Sequence, residues 1–361
     1  MTERPKQPNV NANPARALAN ILLTPIMDLK HLALRTGLSA LSMSGAARLM
    51  AVQTRGLGAI MMFHHVRPAL PKAFDPHAFL TISPEFLDRL LGHVKAQGYA
   101  IIPMDEVAER LADPRPDKPF VALTFDDGYR DTSEHALPVL KRHNAPFTVF
   151  ATTGFAEAIA PLWWLDLEEA VESHAPSHSP AKLMRALKAF YKTHAGTPAL
   201  QAEIARLAAD AKLDTLARTS VLCLDWDGLR QLASEPLCSI GAHTITHPLL
   251  GPQDALTARR EMALSKTILE EKLQRPIRHI AYPVGDALAA GQREFALAAE
   301  LGYETGVTTR PGVLYGAHAA HLHALPRLSV NGRYQSLADL DVLLSGSAFW
   351  LLNRGRKLNV A

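Results

Sequence analysis

From Gly58 onward the chain alternates short, mostly apolar runs with longer stretches in which apolar residues recur every three or four positions. The runs cover residues 59–64, 100–102, 121–125, 147–152, 239–242, 280–282 and 306–308. They lack a polar alternate face, so they predict strands buried on both sides, as in a parallel sheet. The periodic stretches at 84–97, 105–111, 131–143, 254–273 and 287–301 predict helices between them. Strands and helices in turn point to an α/β barrel or a doubly wound sheet. Both architectures collect functional side chains beyond the C-terminal ends of their strands, and Asp126, Asp127, His64 and His243 all fall there.

Two segments fall outside this alternation. Residues 163–217 form a long insertion with Ala-rich helical stretches at 181–192 and 199–216, which reads as a helical flap. Its loop carries His174 and His178 among serines and prolines, a setting that predicts solvated imidazoles. At the other end of the chain, residues 1–14 are polar, and the richer apolar stretch that follows is interrupted by Asp28, Lys30, His31, Arg35 and Arg48. No uninterrupted run approaches the roughly 18 residues that a membrane span needs. The pattern also lacks the layout of a secretory signal. Helices packed on the main domain are therefore expected, with peripheral contact to an anionic membrane surface through residues 18–57 as the alternative. The expected division is a polar arm and helices at 1–57, a main domain at 58–335 containing the insertion, and a C-terminal helix and tail at 336–361.

Composition narrows the class of partner. With 361 residues, 48% of them hydrophobic and 20% charged, the chain can bury a large core. A net charge of +3, with no basic block interleaved with aromatics, argues against a nucleic-acid groove. Cys223 and Cys238 are the only cysteines and have no Cys-x-x-Cys spacing, which suits core positions in a reducing compartment. The cytoplasm, or the inner face of its membrane, is the expected location.

Residues 123–131 read Leu-Thr-Phe-Asp-Asp-Gly-Tyr-Arg-Asp and set two adjacent carboxylates, Asp126 and Asp127, at the end of an apolar strand. Neighbouring carboxylates raise each other's pKa unless a cation lies between them or one keeps a proton. A divalent metal is the simplest such cation. Ser-Ile-Gly-Ala-His-Thr-Ile-Thr-His supplies His243 and His247, four positions apart, which one helical turn would bring to a common face. One carboxylate and two imidazoles can hold a metal and leave coordination positions open.

These two motifs together resemble those of the polysaccharide deacetylase family, the NodB homology domain of carbohydrate esterase family 4. The family includes the nodulation chitooligosaccharide deacetylases. The resemblance spans roughly residues 58–330 and implies a distorted (β/α) barrel. It implies Asp126 as general base and Asp127, His243 and His247 as ligands of a divalent metal, zinc first, with cobalt, nickel or manganese also suited to the donor set. A metal with open positions polarises an acyl carbonyl and lowers the pKa of bound water from about 15.7 to about 7. The acid histidine that many members carry near the C-terminal end is missing. Phe63-His64-His65-Val66 instead resembles a permuted variant with the acid placed ahead of the Asp-Asp motif, which maps it onto His64 rather than His65.

The family's Arg-Pro-Pro-Tyr-Gly motif stands here as Ala281-Tyr282-Pro283-Val284-Gly285, without its arginine. The Val284 amide can still face a developing oxyanion, and Arg327 on the last strand is the candidate to replace the missing guanidinium beside Asp126. Trp163, Trp164 and Tyr129 are candidate platforms for a pyranose ring, and Tyr282 a candidate wall, with core packing as the rival reading for the tryptophans. The implied activity is metal-dependent removal of N-acetyl groups from amino sugars in an oligosaccharide, polysaccharide or glycolipid. Deformylation, hydrolysis of another non-peptide amide, and non-catalytic carbohydrate binding are the alternatives.

Overall fold

A computed structural model describes residues 29–69, 72–113 and 118–360. Eight strands form the main sheet: β1 (Gly58–Phe63), β4 (Ala100–Ile102), β5 (Phe120–Phe125), β6 (Phe147–Ala151), β7 (Cys238–Ala242), β8 (His279–Ala281), β9 (Thr305–Pro311) and β10 (Leu325–Ser329). The short strands β2 (His65–Val66) and β3 (Thr81–Ile82) pair separately with each other. All pairings in the main sheet are parallel, in the order β1, β10, β9, β8, β7, β6, β5, and β5 pairs again with β1. That last pairing closes a seven-stranded barrel. β4 lies against the first three residues of β5, and β6 against the last three, so β4 extends the barrel wall at its base.

The pleat explains why the apolar runs have no polar alternate. Ile60, Ala122, Phe150, Ala281, Val307 and Leu325 share one buried cluster inside the barrel. Their strand neighbours Met61, Leu123, Val149 and Ile280 belong to another cluster, beneath the surrounding helices. Side chains alternate with a period of two, so both faces of each strand are covered. Full burial of each large aliphatic or aromatic side chain is worth about 1.5–3 kcal/mol. The interior is tight: a Cβ on Gly241 would sit 2.4 Å from the Phe150 ring.

The surrounding helices match the periodic stretches, with Pro84–Ala96, Ala255–Leu273 and Gln292–Glu300 among them. Ser83 caps the first of these and Asp254 the second, each accepting from backbone amides of its first turn. The insertion folds as Trp163–His174, Pro180–His194, Leu200–Asp210 and Thr215–Leu222. The helix expected at 199–216 is therefore two helices. Lys212 turns the chain with φ of 56°, and Asp214 caps the second helix by accepting from Ala217. His174 and His178 are exposed, and Cys223 and Cys238 are buried free thiols.

Helices Leu29–Met43 and Ala46–Thr54 pack against Leu337–Leu344 and Ser347–Leu352 through Leu38, Ala47, Val342 and Ala348. Two short C-terminal helices thus stand where one was expected, parted by Gly346 at φ 71°. Among the described residues no helix is long and apolar enough to cross a membrane. Residues 18–28, part of the stretch for which membrane contact is the alternative to packed helices, lie outside the described residues.

Candidate active site

The pleat that fills the barrel also selects what lines its mouth. On β5, Phe120 and Ala122 face inward, so Thr124 and Asp126 follow on the same side. On β1, Ile60 faces inward, so alternation carries His64 inward and His65 outward. On β7, Ile240 and Ala242 join the outer cluster, which leaves His243 pointing in. The strands end in register: Phe63 pairs with Phe125, Ala151 with Ala242, and the Asp126 amide donates to the Phe63 carbonyl at 3.0 Å. Parallel strands in register therefore bring His64, Asp126 and His243 to one rim.

Asp126 is buried and held by Arg327, whose Nη1 and Nη2 donate to Oδ1 and Oδ2, both at 2.7 Å. The same guanidinium donates from Nη1 to Thr124 Oγ1 at 3.1 Å and from Nε to the Thr308 carbonyl at 2.9 Å. Arg327 thus reaches Asp126 from β10, where the register against β9 shifts between Leu325 and Arg327. Irregularities of this kind re-aim a side chain at a barrel rim. Burial would push the Asp126 carboxyl up, but Arg327 outweighs it and holds the pKa below the ordinary carboxylate value.

Asp127 turns away from its neighbour because its backbone is left-handed, with φ of 72°. Its Oδ1 lies 3.3 Å from His243 Nε2 and 3.3 Å from His247 Nε2. All three side chains are buried, and one ligand atom from each lies within 4.8 Å of the others. Burial opposes ionisation of Asp127, but the two imidazoles overcome it and hold its pKa well below normal. His243 donates from Nδ1 to the Ala281 carbonyl at 2.7 Å, which leaves Nε2 with its lone pair toward Asp127. Asp127 Oδ1 is a buried acceptor with no hydrogen-bond partner. An orphaned carboxylate oxygen faced by two imidazole nitrogens is a donor set that fits a divalent cation.

The helical-face expectation for His243 and His247 is corrected. Residues 243–247 are not helical; the imidazoles converge because Thr244 and His247 take left-handed φ of 65° and 55° and fold the chain back on itself. Val284 also has positive φ, at 61°. Four of the nine described non-glycine residues with positive φ therefore sit at this rim, and two of them, Thr244 and Val284, are β-branched. Strain of this kind persists where function or surrounding contacts demand it. The Val284 carbonyl accepts from Thr309 Oγ1 at 2.7 Å, and Gly285, at φ 64°, completes the reversal.

The two histidines after β1 separate as alternation requires. His64 is partly exposed at the mouth, and its pKa is lowered by desolvation, which the charges of Asp127 and Asp126 offset only in part. His65 is buried outside, bonded through Nδ1 to Asp131 Oδ2 at 2.6 Å and stacked on Tyr129 at 3.6 Å between centroids. The carboxylate of Asp131 is thus the partner of His65 and not of His64.

The expected sugar platforms are corrected as well. Tyr129, Trp163, Trp164 and Tyr282 are each at most 4% exposed, so none offers an open face to a pyranose. Trp163 donates from Nε1 to the His247 carbonyl at 3.0 Å, and Tyr282 donates its hydroxyl to the His323 carbonyl at 2.8 Å. Packing is what these rings do. Sequence reasoning missed Glu261, whose carboxylate accepts from the Ile245 and Thr246 amides at 2.8 and 3.0 Å and from Thr246 Oγ1 at 2.9 Å. It also missed Gln201, which donates to the Thr246 and His247 carbonyls at 3.1 and 3.3 Å. Neither lies in a motif, so nothing in the sequence pointed to them.

Known proteins share this architecture. The chain is 24% identical over 253 residues to YxkH of Bacillus subtilis (strain 168), described by assignment as a polysaccharide deacetylase, covering 70% of this chain and 63% of that protein. The chain therefore spans less than two thirds of that relative's length. The Streptococcus pyogenes deacetylase PplD, solved in complex with acetate, superposes with a TM-score of 0.54 at 22% identity, over 80% of this chain and 96% of that one. IcaB from Ammonifex degensii does so with a TM-score of 0.53 at 17% identity, over 80% and 97%. These superpositions establish the common barrel fold. Residues 113–306 match the family profile of polysaccharide deacetylases, more than half of the chain, and the protein belongs to the polysaccharide deacetylase family.

Proposed function

We propose that the protein is a metal-dependent amidohydrolase that removes an N-acetyl group from an amino sugar within an oligosaccharide, polysaccharide or glycolipid. The observation that carries this reading is the pairing of two differently held carboxylates at one rim. Asp127 has an orphaned oxygen facing His243 and His247, while next to it Asp126 is locked by Arg327.

Asp127, His243 and His247 would hold the metal. A divalent ion there supplies Lewis acidity, polarising a carbonyl and acidifying water. Asp126, kept ionised by Arg327, accepts a proton from the water that attacks the acyl carbon. Its orientation is fixed by the guanidinium fork, so the acceptor oxygen is aimed before substrate arrives. The Val284 amide, presented by a left-handed turn, is the candidate donor to the developing oxyanion. As the carbon–nitrogen bond breaks, the nitrogen needs a proton. His64 is the partly exposed group on the same side of β1 as Asp126 is on β5, and its depressed pKa makes its protonated form a ready donor. It would relay to the departing amine the proton that Asp126 took, leaving free amine and acetate. The acetate complex of the structurally similar PplD is consistent with that product.

A motif that lacks its arginine would by itself favour non-catalytic carbohydrate binding. Arg327 makes the expected contact to Asp126 from a different strand, which removes that argument. The test is elemental analysis of purified protein together with an acetate- and formate-release screen on N-acetylated and N-formylated glycans. Acetate release from an N-acetylated amino sugar, lost on chelation and restored by metal, is the expected result. Metal-loaded protein inert towards all of these substrates would sink the reading.

A further inference from the structure

His243 and His247 are held in different ways. The His243 ring is fixed by its own second nitrogen, which donates to the Ala281 carbonyl. His247 has no such anchor, because its Nδ1 is buried and unpartnered. A metal-binding imidazole without a hydrogen bond on its far nitrogen must be oriented by something else. The hydrogen bonds of the loop 243–247 show what does so. His243, Thr244 and Ile245 give their carbonyls to Thr152 Oγ1, the Thr153 amide and the Gly154 amide, all at the end of β6. The last two carbonyls go elsewhere: Thr246 accepts from Gln201, and His247 accepts from both Gln201 and Trp163.

Trp163 opens the first helix of the insertion, and Gln201 lies at the start of its third. The same insertion packs the His247 ring, with the Trp164 centroid 4.7 Å and the Trp163 centroid 6.2 Å away, and Phe155 adds a further ring at 5.9 Å. His247 is left-handed, so its carbonyl direction and its ring direction are set together by one strained backbone unit.

We infer that the helical insertion is a structural part of the metal centre, with Trp163 and Gln201 as positioning residues that fix His247 through its backbone carbonyl. The inference rests on the reading of Asp127, His243 and His247 as metal ligands. It assigns the insertion a role in metal geometry and affinity that sugar stacking would not require.

The experiment measures zinc affinity by chelator competition and the visible absorption of the cobalt-substituted protein, for the full chain and three variants. His243→Ala tests the ligand reading itself and should abolish tight binding. Trp163→Phe removes one N–H while keeping a ring in place, and Gln201→Glu replaces both donors of a half-buried side chain by acceptors. Each should weaken zinc binding by about tenfold or more, the usual size of a loss in the shell behind a ligand, and should alter the cobalt spectrum. Circular dichroism of the apo forms checks that each variant folds. Should Trp163→Phe fail to fold, Gln201→Glu decides alone, because its side chain fills no core volume. Wild-type zinc affinity and an unchanged cobalt spectrum in a folded Gln201→Glu variant, with His243→Ala defective, would overturn the inference and leave the metal site standing. Tight binding retained in His243→Ala would overturn the ligand reading, and this inference with it.

Discussion

Arg327 and Asp126 lie 201 positions apart in sequence and meet as a buried fork, with two parallel bonds of 2.7 Å holding both oxygens of the carboxylate. The guanidinium is held in turn by Thr124 Oγ1 and the Thr308 carbonyl. Removing one partner would strand the other, at a cost of about 3–5 kcal/mol. Arg327→Met should accordingly lower unfolding stability by that order in urea melts, and Arg327→Met combined with Asp126→Asn should recover part of the loss. Arg327→Lys keeps the charge but loses the fork. It should cut kcat/KM about 100-fold through misplacement of the base while metal content stays at the wild-type level. A lysine variant with full turnover would mean that the fork does not orient the base.

Asp126 and Asp127 are adjacent in sequence yet are built for different tasks, and substitution should separate them. Asp126→Asn leaves the orphaned oxygen of Asp127 and both imidazoles in place, so bound metal should remain at one equivalent while turnover disappears. Asp127→Asn removes the negative member of the donor set, so metal and turnover should be lost together. Elemental analysis of the two purified variants makes the distinction. Equal metal loss in both would mean that Asp126 is also a ligand.

The barrel was legible in the sequence because its strands are covered on both faces. Runs such as 59–63 and 100–102 have no polar alternate to blur their limits, and the observed strands begin and end within a residue or two of most of the predicted ones. Asp126, Asp127 and the two histidines stood out as motif residues, and Arg327 as the arginine left over on the last strand. What stayed hidden depended on conformation rather than residue type. The spacing of His243 and His247 fits a helical turn, and only the left-handed φ of Thr244 and His247 shows that a loop brings them together. Glu261 holds that loop from the helix 16 residues downstream and Gln201 from one 46 residues upstream, and no local pattern announces a side chain that bonds to the backbone of another element. Trp163 looked like a sugar platform because an aromatic pair at a helix start is equally suited to a surface or a core.

Gly154 offers a test of how tightly the metal-facing loop is held from the barrel side. Its amide donates to the Ile245 carbonyl at 2.9 Å, and an added Cβ would lie 2.4 Å from that oxygen and 2.8 Å from the Ala160 Cβ. Neither obstacle is the tip of a flexible side chain. Gly154→Ala must therefore push the 243–247 loop outward, and overpacking of this sort costs about 1–3 kcal/mol. Zinc affinity should fall along with melting temperature. A stable variant with undiminished affinity would mean that the loop can shift without disturbing His247.

His64 and His65 differ in what faces them, and their substitutions should differ in kind. His64→Gln removes the partly exposed imidazole beside the two carboxylates, so turnover should drop about 100-fold with metal and folding intact. His65→Gln breaks the buried contact to Asp131 and the stack on Tyr129, so its main effect should be on stability, by about 1–3 kcal/mol. Turnover assays and urea melts on the pair read both outcomes. A His64 variant as active as wild type would move the acid elsewhere.

The dependence of stability on pH should carry the signature of His318. This imidazole is fully buried, accepts from the Tyr315 amide through Nδ1 at 2.9 Å, and is pushed by burial from an ordinary value of 6.5 down to about 4. Its folded-state pKa is depressed, so the neutral ring contributes stability that is fully present above pH 6.5 and is lost as pH falls toward 4. Asp166 works in the opposite sense: burial raises it from 3.8 to about 6, so its contribution is present below pH 3.8 and is lost as pH rises through 6. The two overlap in the same window, so the difference between proteins is the informative quantity rather than either curve alone. His318→Gln keeps an acceptor for the Tyr315 amide but cannot titrate. Urea unfolding measured from pH 4 to 8 should show wild type losing stability toward the acid end more steeply than the variant, with the two curves separating progressively below pH 6.5. Curves that stay parallel across that range would mean that the ring is protonated as readily in the folded protein as in the unfolded chain.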